Sequence, residues 1–234
     1  RTCFYWGGSF FRKDFEAVPQ KDKAMVLRCL VVDCGGVTHP DSGLKEAVKK
    51  RATGEDAGKK AKAQWSAMRD DPKATKEEFW KKTCSACGLD AAAAEEADAE
   101  ICATLRGYYP ESLEVLRAAK EQQVVLGMIS NHLAFWFHKE CGEALKDLID
   151  PELLLVSSEV ACSKPGSQIF ELFLQRVGKL HPGIKAADCI FVDDKAENVA
   201  AAEALGFQGL LYDARKAQPG DLAKALREAG LPLP

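Results

Sequence analysis

The sequence predicts an α/β protein: a parallel sheet covered by helices on both faces, with an all-helical segment inserted after the first strand. Three observations carry this expectation. Short apolar runs alternate with amphipathic stretches from Glu111 onward, the order that builds strands joined by right-handed crossover helices. The first apolar run, which ends at Asp33, is separated from the others by a long stretch with no strand-like pattern. That stretch, from Ser42 to Arg106, is rich in Ala, Lys and Glu and repeats its apolar residues at helical spacing.

The opening strand lies in Leu27-Arg28-Cys29-Leu30-Val31-Val32, rich in β-branched residues, and breaks at Asp33 followed by Cys34-Gly35-Gly36-Val37-Thr38. In the insert, Leu44, Ala47 and Val48, then Trp65 and Met68, then Phe79 and Trp80, then Ile101 and Leu105 mark the buried faces of successive helices. Asp71-Pro72 and Gly88-Leu89-Asp90 punctuate them, and Thr75-Lys76-Glu77-Glu78 resembles a capping box. Gly107-Tyr108-Tyr109-Pro110 closes the insert. A helix over 111–121 then leads to the strand 124–129, ending at Ser130-Asn131. A helix over 135–145 precedes the strand 153–156, a loop carrying Lys164-Pro165-Gly166, and a helix reaching Val177. The strand 189–192 ends at Asp193-Asp194. A helix over 196–205, a strand over 209–212 and a helix over 222–228 finish the fold.

Composition bounds the function. With 234 residues, 47% hydrophobic and 29% charged, the chain has the make-up of a soluble globular protein with a sizeable core. A formal charge of −3 argues against nucleic-acid binding, which calls for a strongly basic face. The runs Lys59-Lys60-Ala61-Lys62 and Lys81-Lys82 read as solvated helix faces. Nine scattered cysteines, an odd number, point to reduced thiols and a cytoplasmic setting. Cys84-Ser85-Ala86-Cys87 has neither a second pair nor a nearby His to complete a zinc site. No apolar run reaches the roughly 18 residues of a membrane span. Residues 1–24 hold the aromatic patches Phe4-Tyr5-Trp6 and Phe10-Phe11 but no secretory pattern. With Met25 standing before the first strand, they read as a leader.

Taken singly, Asp33 is the kind of residue that often just forms a turn. Four strand ends together say more. Asp33, Ser130 with Asn131, Lys164 beyond the third strand, and Asp193 with Asp194 all fall at the carboxyl edge of a parallel sheet, where ligands gather. That convergence makes Asp33 the candidate nucleophile, within a site of carboxylates, a lysine and small polar residues.

These segments resemble the four motifs of the haloacid dehalogenase superfamily. The strand ending in Asp33, the strand ending in Ser130-Asn131, Ser163-Lys164-Pro165 and Phe191-Val192-Asp193-Asp194-Lys195-Ala196-Glu197-Asn198-Val199 occur in the family's order. The resemblance covers roughly Met25 to Tyr212. It implies a Rossmann-like core over 25–38 and 107–234 and a C1-type helical cap over 39–106. The Asp-x-Gly-Gly-Val opening looks closest to the branch of sugar-phosphate phosphatases of the glucose-1-phosphate phosphatase type.

The resemblance further implies a Mg²⁺-dependent phosphatase acting on a small phosphorylated metabolite through an aspartyl-phosphate on Asp33. Asp33, the carbonyl of Gly35, Asp193 and Asp194 would hold the metal. Gly36, Ser130, Asn131 and Lys164 would bind phosphate, and Asn198 would orient a metal ligand. The chemistry is coherent, because anionic phosphoryl oxygens repel a carboxylate nucleophile unless a hard cation and donors offset the charge.

One departure bears on mechanism. Such phosphatases usually carry a second Asp two residues after the nucleophile as acid and base, and Gly35 stands there. His39 and His132 are candidate replacements. Loss of that group leaves two alternatives open, a 2-haloacid dehalogenase, whose halide leaving group needs no proton, and a catalytically impaired pseudophosphatase. Cys34, beside the nucleophile, reads either as a redox handle or as a small packing residue.

Overall fold

A computed structural model describes residues 27–234. The aromatic patches and Met25 of the leader reading lie outside the described residues. β1 (Cys29–Val32) is followed by α1 (Leu44–Lys49), α2 (Ala57–Met68), α3 (Lys76–Cys87) and α4 (Ala91–Leu105). Then come α5 (Pro110–Glu121), β2 (Val125–Ser130), a short turn of helix α6 (Ala134–Trp136), β3 (Leu154–Val156), α7 (Ser157–Val160) and α8 (Ser167–Leu180). β4 (Cys189–Asp193), α9 (Ala196–Glu203), β5 (Gln208–Leu211) and α10 (Asp221–Glu228) complete the fold. The five strands form one parallel sheet in the order β3-β2-β1-β4-β5.

β1 is central, and all four of its residues are buried, as a strand covered on both faces requires. Its register sets the site. Val32 pairs with Met128 on one side and with Val192 on the other, which brings the ends of β1, β2 and β4 level. Below the sheet edge, Phe170 of α8 meets Phe191 edge-on at 5.2 Å. Phe173 lies so close to β2 that a Cβ on Gly127 would stand 2.3 Å from its ring, so glycine permits this approach.

The expected helical insert is present as α1–α4. Thr75 caps α3, its Oγ1 accepting from the Glu78 N–H at 3.2 Å. Glu78 pairs with Lys82 at 2.7 Å, so the capping box is one-sided. Asp90 caps α4 through the Ala93 N–H at 2.8 Å. Polar contacts fasten the insert to the sheet domain. Ser157 Oγ donates to the Arg69 carbonyl at 2.6 Å, Ser163 Oγ reaches Asp70 at 2.8 Å, and Arg106 pairs with the buried Glu140 at 2.7 Å. Asp98 of α4 accepts from the indoles of both Trp80 and Trp136 at 3.0 Å.

The helix expected over 135–145 departs from the pattern, and a short helix, α7, stands where a loop was expected after β3. α6 gives way to a π-helical turn over Phe137–Cys141 and a 3-10 turn over Gly142–Ala144. The polar anchors of Trp136 on Asp98 and Glu140 on Arg106 set its path, and they override helical periodicity.

The eight cysteines among the described residues are free. Cys87 is buried with its thiol against the Ala57 carbonyl at 3.3 Å, a packing role. No helix among the described residues is long and apolar enough to cross a membrane.

Candidate active site

The four polar strand ends converge as the sequence leads one to expect. Asp33 extends β1 by one ladder bond, its N–H donating to the Val192 carbonyl at 2.9 Å. The Cys34 N–H turns back onto Asp33 Oδ1 at 2.7 Å and fixes the carboxylate. Lys164, only 1% exposed, places Nζ 2.8 Å from Asp33 Oδ1 and 2.7 Å from Asp193 Oδ2. Burial pushes the Asp33 carboxyl up to about 6, with Lys164 opposing and Asp193 adding to the rise. For Lys164, burial works against the ammonium, but the two carboxylates outweigh it and hold its pKa above the ordinary lysine value.

Each motif residue has a distinct hold on its neighbours. Asn131 clamps the backbone of Lys164, Nδ2 donating to its carbonyl at 2.8 Å and Oδ1 accepting from its N–H at 2.9 Å. Both ends of that amide are therefore engaged in positioning the lysine. Asn198 Nδ2 donates to Asp193 at 2.9 and 3.0 Å, and the Lys195 N–H adds a third bond at 2.9 Å. Ser130 is buried at the end of β2 and lines the cleft.

Gly36 departs from the expected phosphate role. Its N–H donates to the His39 carbonyl at 2.8 Å, which removes it as a donor to phosphate. Its φ is +78°, and a Cβ there would stand 2.7 Å from Asp194 Oδ2. Glycine at 36 thus makes room for the Asp194 carboxylate.

Asp33, Asp193 and Asp194 each offer an oxygen within 4.8 Å of the others. Asp194 Oδ1 is buried and has no hydrogen-bond partner. Burial raises the pKa of Asp194, with Lys195 opposing and Asp193 adding. Hard carboxylate donors with one oxygen unsatisfied fit a hard divalent cation such as Mg²⁺.

The cleft beside Asp33, of about 70 Å³, is lined by Gly35, Asp41, Lys62, Trp65, Ser130, Asn131 and Lys164 among others. Sequence reasoning missed Asp41, Lys62 and Arg215. Asp41 Oδ1 lies 3.0 Å from where a Cβ on Gly35 would stand. Arg215, beyond β5, pairs with Asp41 while also holding Asp194 Oδ2 at 2.8 Å and Asp213 Oδ1 at 2.6 Å. Lys62 of α2 carries the insert's charge into the cleft, with burial depressing its pKa and Lys195 and Arg69 adding to the shift. The signal for Arg215 was a fifth strand end, since polar residues there follow the same logic as the other four.

The two histidines are desolvated. Burial lowers each to about 4. His39 is fully buried with Nδ1 beside Thr38 Oγ1 at 3.0 Å, and the cleft lining does not include it. His132 lines the cleft, its ring packed edge-on against Trp65 at 4.9 Å and Phe137 at 5.6 Å. Cys34 is buried, and hydrogen bonding with the free Cys141 thiol together with burial lifts its own thiol well above the ordinary value. It is held as a thiol, which fits packing rather than a redox handle.

The family model for haloacid dehalogenase-like hydrolases matches residues 27–206. A sesquiterpene phosphatase of Aspergillus oryzae is 36% identical over 97 residues, which are 41% of this chain. The match spans only 46% of that relative's length. A haloacid dehalogenase family enzyme from Bacteroides thetaiotaomicron, solved with magnesium, aligns with a TM-score of 0.68 at 20% identity over 86% of this chain and 98% of its own. A dehalogenase aligns with a TM-score of 0.59 at 17% identity over 89% and 98% of the two chains. At these identities the structural matches speak for the fold.

Proposed function

The chain belongs to the haloacid dehalogenase-like hydrolases, and we propose that it is a Mg²⁺-dependent phosphatase for a small phosphomonoester, a sugar phosphate or similar metabolite. The observation that carries this reading is Lys164 wedged between Asp33 and Asp193 beside the Asp194 oxygen that accepts no hydrogen bond. A nucleophile held by a lysine, next to a carboxylate oxygen that accepts no hydrogen bond and has only the Lys195 ammonium at 3.7 Å, is an arrangement for an anionic substrate.

In this reading Asp33 attacks phosphorus and forms the aspartyl-phosphate that water then cleaves. Lys164 offsets the charge of nucleophile and phosphoryl oxygens, and Ser130 donates to the phosphate. Asn131 holds the Lys164 backbone in register. Asp33, Asp194, Asp193 and the Gly35 carbonyl would hold Mg²⁺, with Asn198 fixing Asp193. The metal, when bound, neutralises charge on the phosphoryl oxygens. Residues 39–106 act as a cap that excludes water and recognises the rest of the substrate, and 25–38 with 107–234 form the catalytic core. The setting we propose is cytoplasmic.

The test is hydrolysis of p-nitrophenyl phosphate with and without Mg²⁺, for wild type and Asp33→Asn. Metal-dependent turnover that disappears in the variant supports the reading. A second reading, halide displacement, draws on Gly35, since halide leaves without a proton. Chloride release from chloroacetate in the presence of a chelator, with no phosphatase activity, would replace the first reading by the second. Neither activity in folded protein would favour a pseudophosphatase.

A further inference from the structure

The missing acid-base residue has a physical counterpart. Gly35 stands at the position where the resemblance calls for a carboxylate, and its φ lies outside the left-handed region, so the backbone does not demand glycine. What occupies the side-chain space is Asp41. Its Oδ1 lies 3.0 Å from the Cβ that residue 35 would carry, so the carboxylate borders the space beside position 35. Both Gly35 and Asp41 line the cleft with Asp33. The geometry points to Asp41 as the proton-transferring residue of this phosphatase, its carboxylate delivered from the loop before α1 instead of from position 35. The inference rests on the phosphatase reading above.

The other candidates serve less well. His39 is buried, engaged with Thr38 and absent from the cleft lining. His132 reaches the cleft, but its ring is boxed by Trp65 and Phe137. Asp41, by contrast, is more than half exposed and free to meet solvent water and substrate. Arg215 pairs with the other oxygen, Oδ2, and leaves Oδ1 on the side of position 35. The same guanidinium reaches Asp194 Oδ2 at 2.8 Å, which ties Asp41 to the carboxylate cluster. Arg215 is thus a positioning residue.

The protons balance over the two steps. As Asp33 forms its bond to phosphorus, the bond from phosphorus to the leaving oxygen breaks and that oxygen takes the proton of the Asp41 carboxyl. Water then attacks phosphorus, the bond to Asp33 breaks, and the water's proton returns to the Asp41 carboxylate. General acid-base groups of this kind contribute typically about 10²–10⁴-fold.

p-Nitrophenyl phosphate separates the steps, because its leaving group departs without a proton. Asp41→Asn and Asp41→Ala are expected to release one burst of nitrophenolate and then turn over about 10²-fold or more slowly. Intact mass measured during turnover should show the phosphorylated enzyme accumulating. The double variant Gly35→Asp/Asp41→Ala, which returns a carboxylate to the usual position, should restore turnover in part. Unchanged turnover in both single variants, or a folded variant that loses the burst as well, overturns the proposal, as does failure of the double variant to recover. A wild type with no metal-dependent turnover and no phosphate on Asp33 fails the phosphatase reading itself, and that outcome is distinct from all of these.

Discussion

Lys164 reaches Asp33 at 2.8 Å from a loop two strands away in the sheet order, and the contact is sealed from solvent. The ammonium sits where two carboxylates would otherwise repel each other in a desolvated space. Removing one member of such a buried group leaves charge uncompensated, which costs about 3–5 kcal/mol. Lys164→Met is therefore expected to lower the denaturation midpoint markedly in metal-free protein. Added Mg²⁺ should recover part of that loss, which a Mg²⁺ titration of the melting temperature would show.

Asn198→Ala removes the two amide bonds that fix Asp193. Partners behind a metal ligand typically govern about 10–100-fold in affinity. The Mg²⁺ concentration for half-maximal thermal protection should rise by that order, with the fold intact by circular dichroism. An unchanged Mg²⁺ requirement would remove Asn198 from the metal's support.

Acid should weaken the fold through its histidines. His39 and His132 drop from 6.5 to about 4 on burial, so the unfolded chain binds their protons first. Their stabilisation is complete above about pH 6.5 and is lost as pH falls towards 4. Each contributes on the order of 3 kcal/mol across that window. Asp33 acts with the opposite sign, since its raised value favours the fold below 3.8 and loses that contribution as pH rises through about 6. Urea midpoints measured from neutral to acid pH should fall for wild type and fall less for His39→Asn.

Asp98 is the acceptor for Trp80, Trp136 and Lys76 together. Asp98→Ala strands two indole N–H groups, at about 1–3 kcal/mol for each that stays buried. Unfolding should shift to lower denaturant, and the Trp65–Trp136 stacking at 5.5 Å should loosen.

The sequence revealed the sheet because each strand is an apolar run cut off by a polar residue, and parallel topology carries those residues to one edge. Asp33, Ser130, Lys164 and Asp193 were all visible on that logic. Asn131 and Gly36 were placed at the edge correctly, but their hydrogen bonds turn inward to Lys164 and His39, and strand patterning carries no information about donor direction. Asp41 was invisible for another reason. Its importance lies in a side chain folding back over a glycine six positions earlier, a loop contact that no hydrophobic period records. The irregular path after Trp136 escaped likewise, because Asp98 and Arg106, which direct it, lie far away in the chain.

Three of the four tryptophans, Trp65, Trp80 and Trp136, meet where the insert touches the sheet domain, and two of them share the Asp98 carboxylate. Their emission is consequently a built-in optical gauge of that seam. A change in tryptophan fluorescence on adding substrate or metal, with far-ultraviolet dichroism constant, would follow the insert lifting and settling in real time without any attached dye.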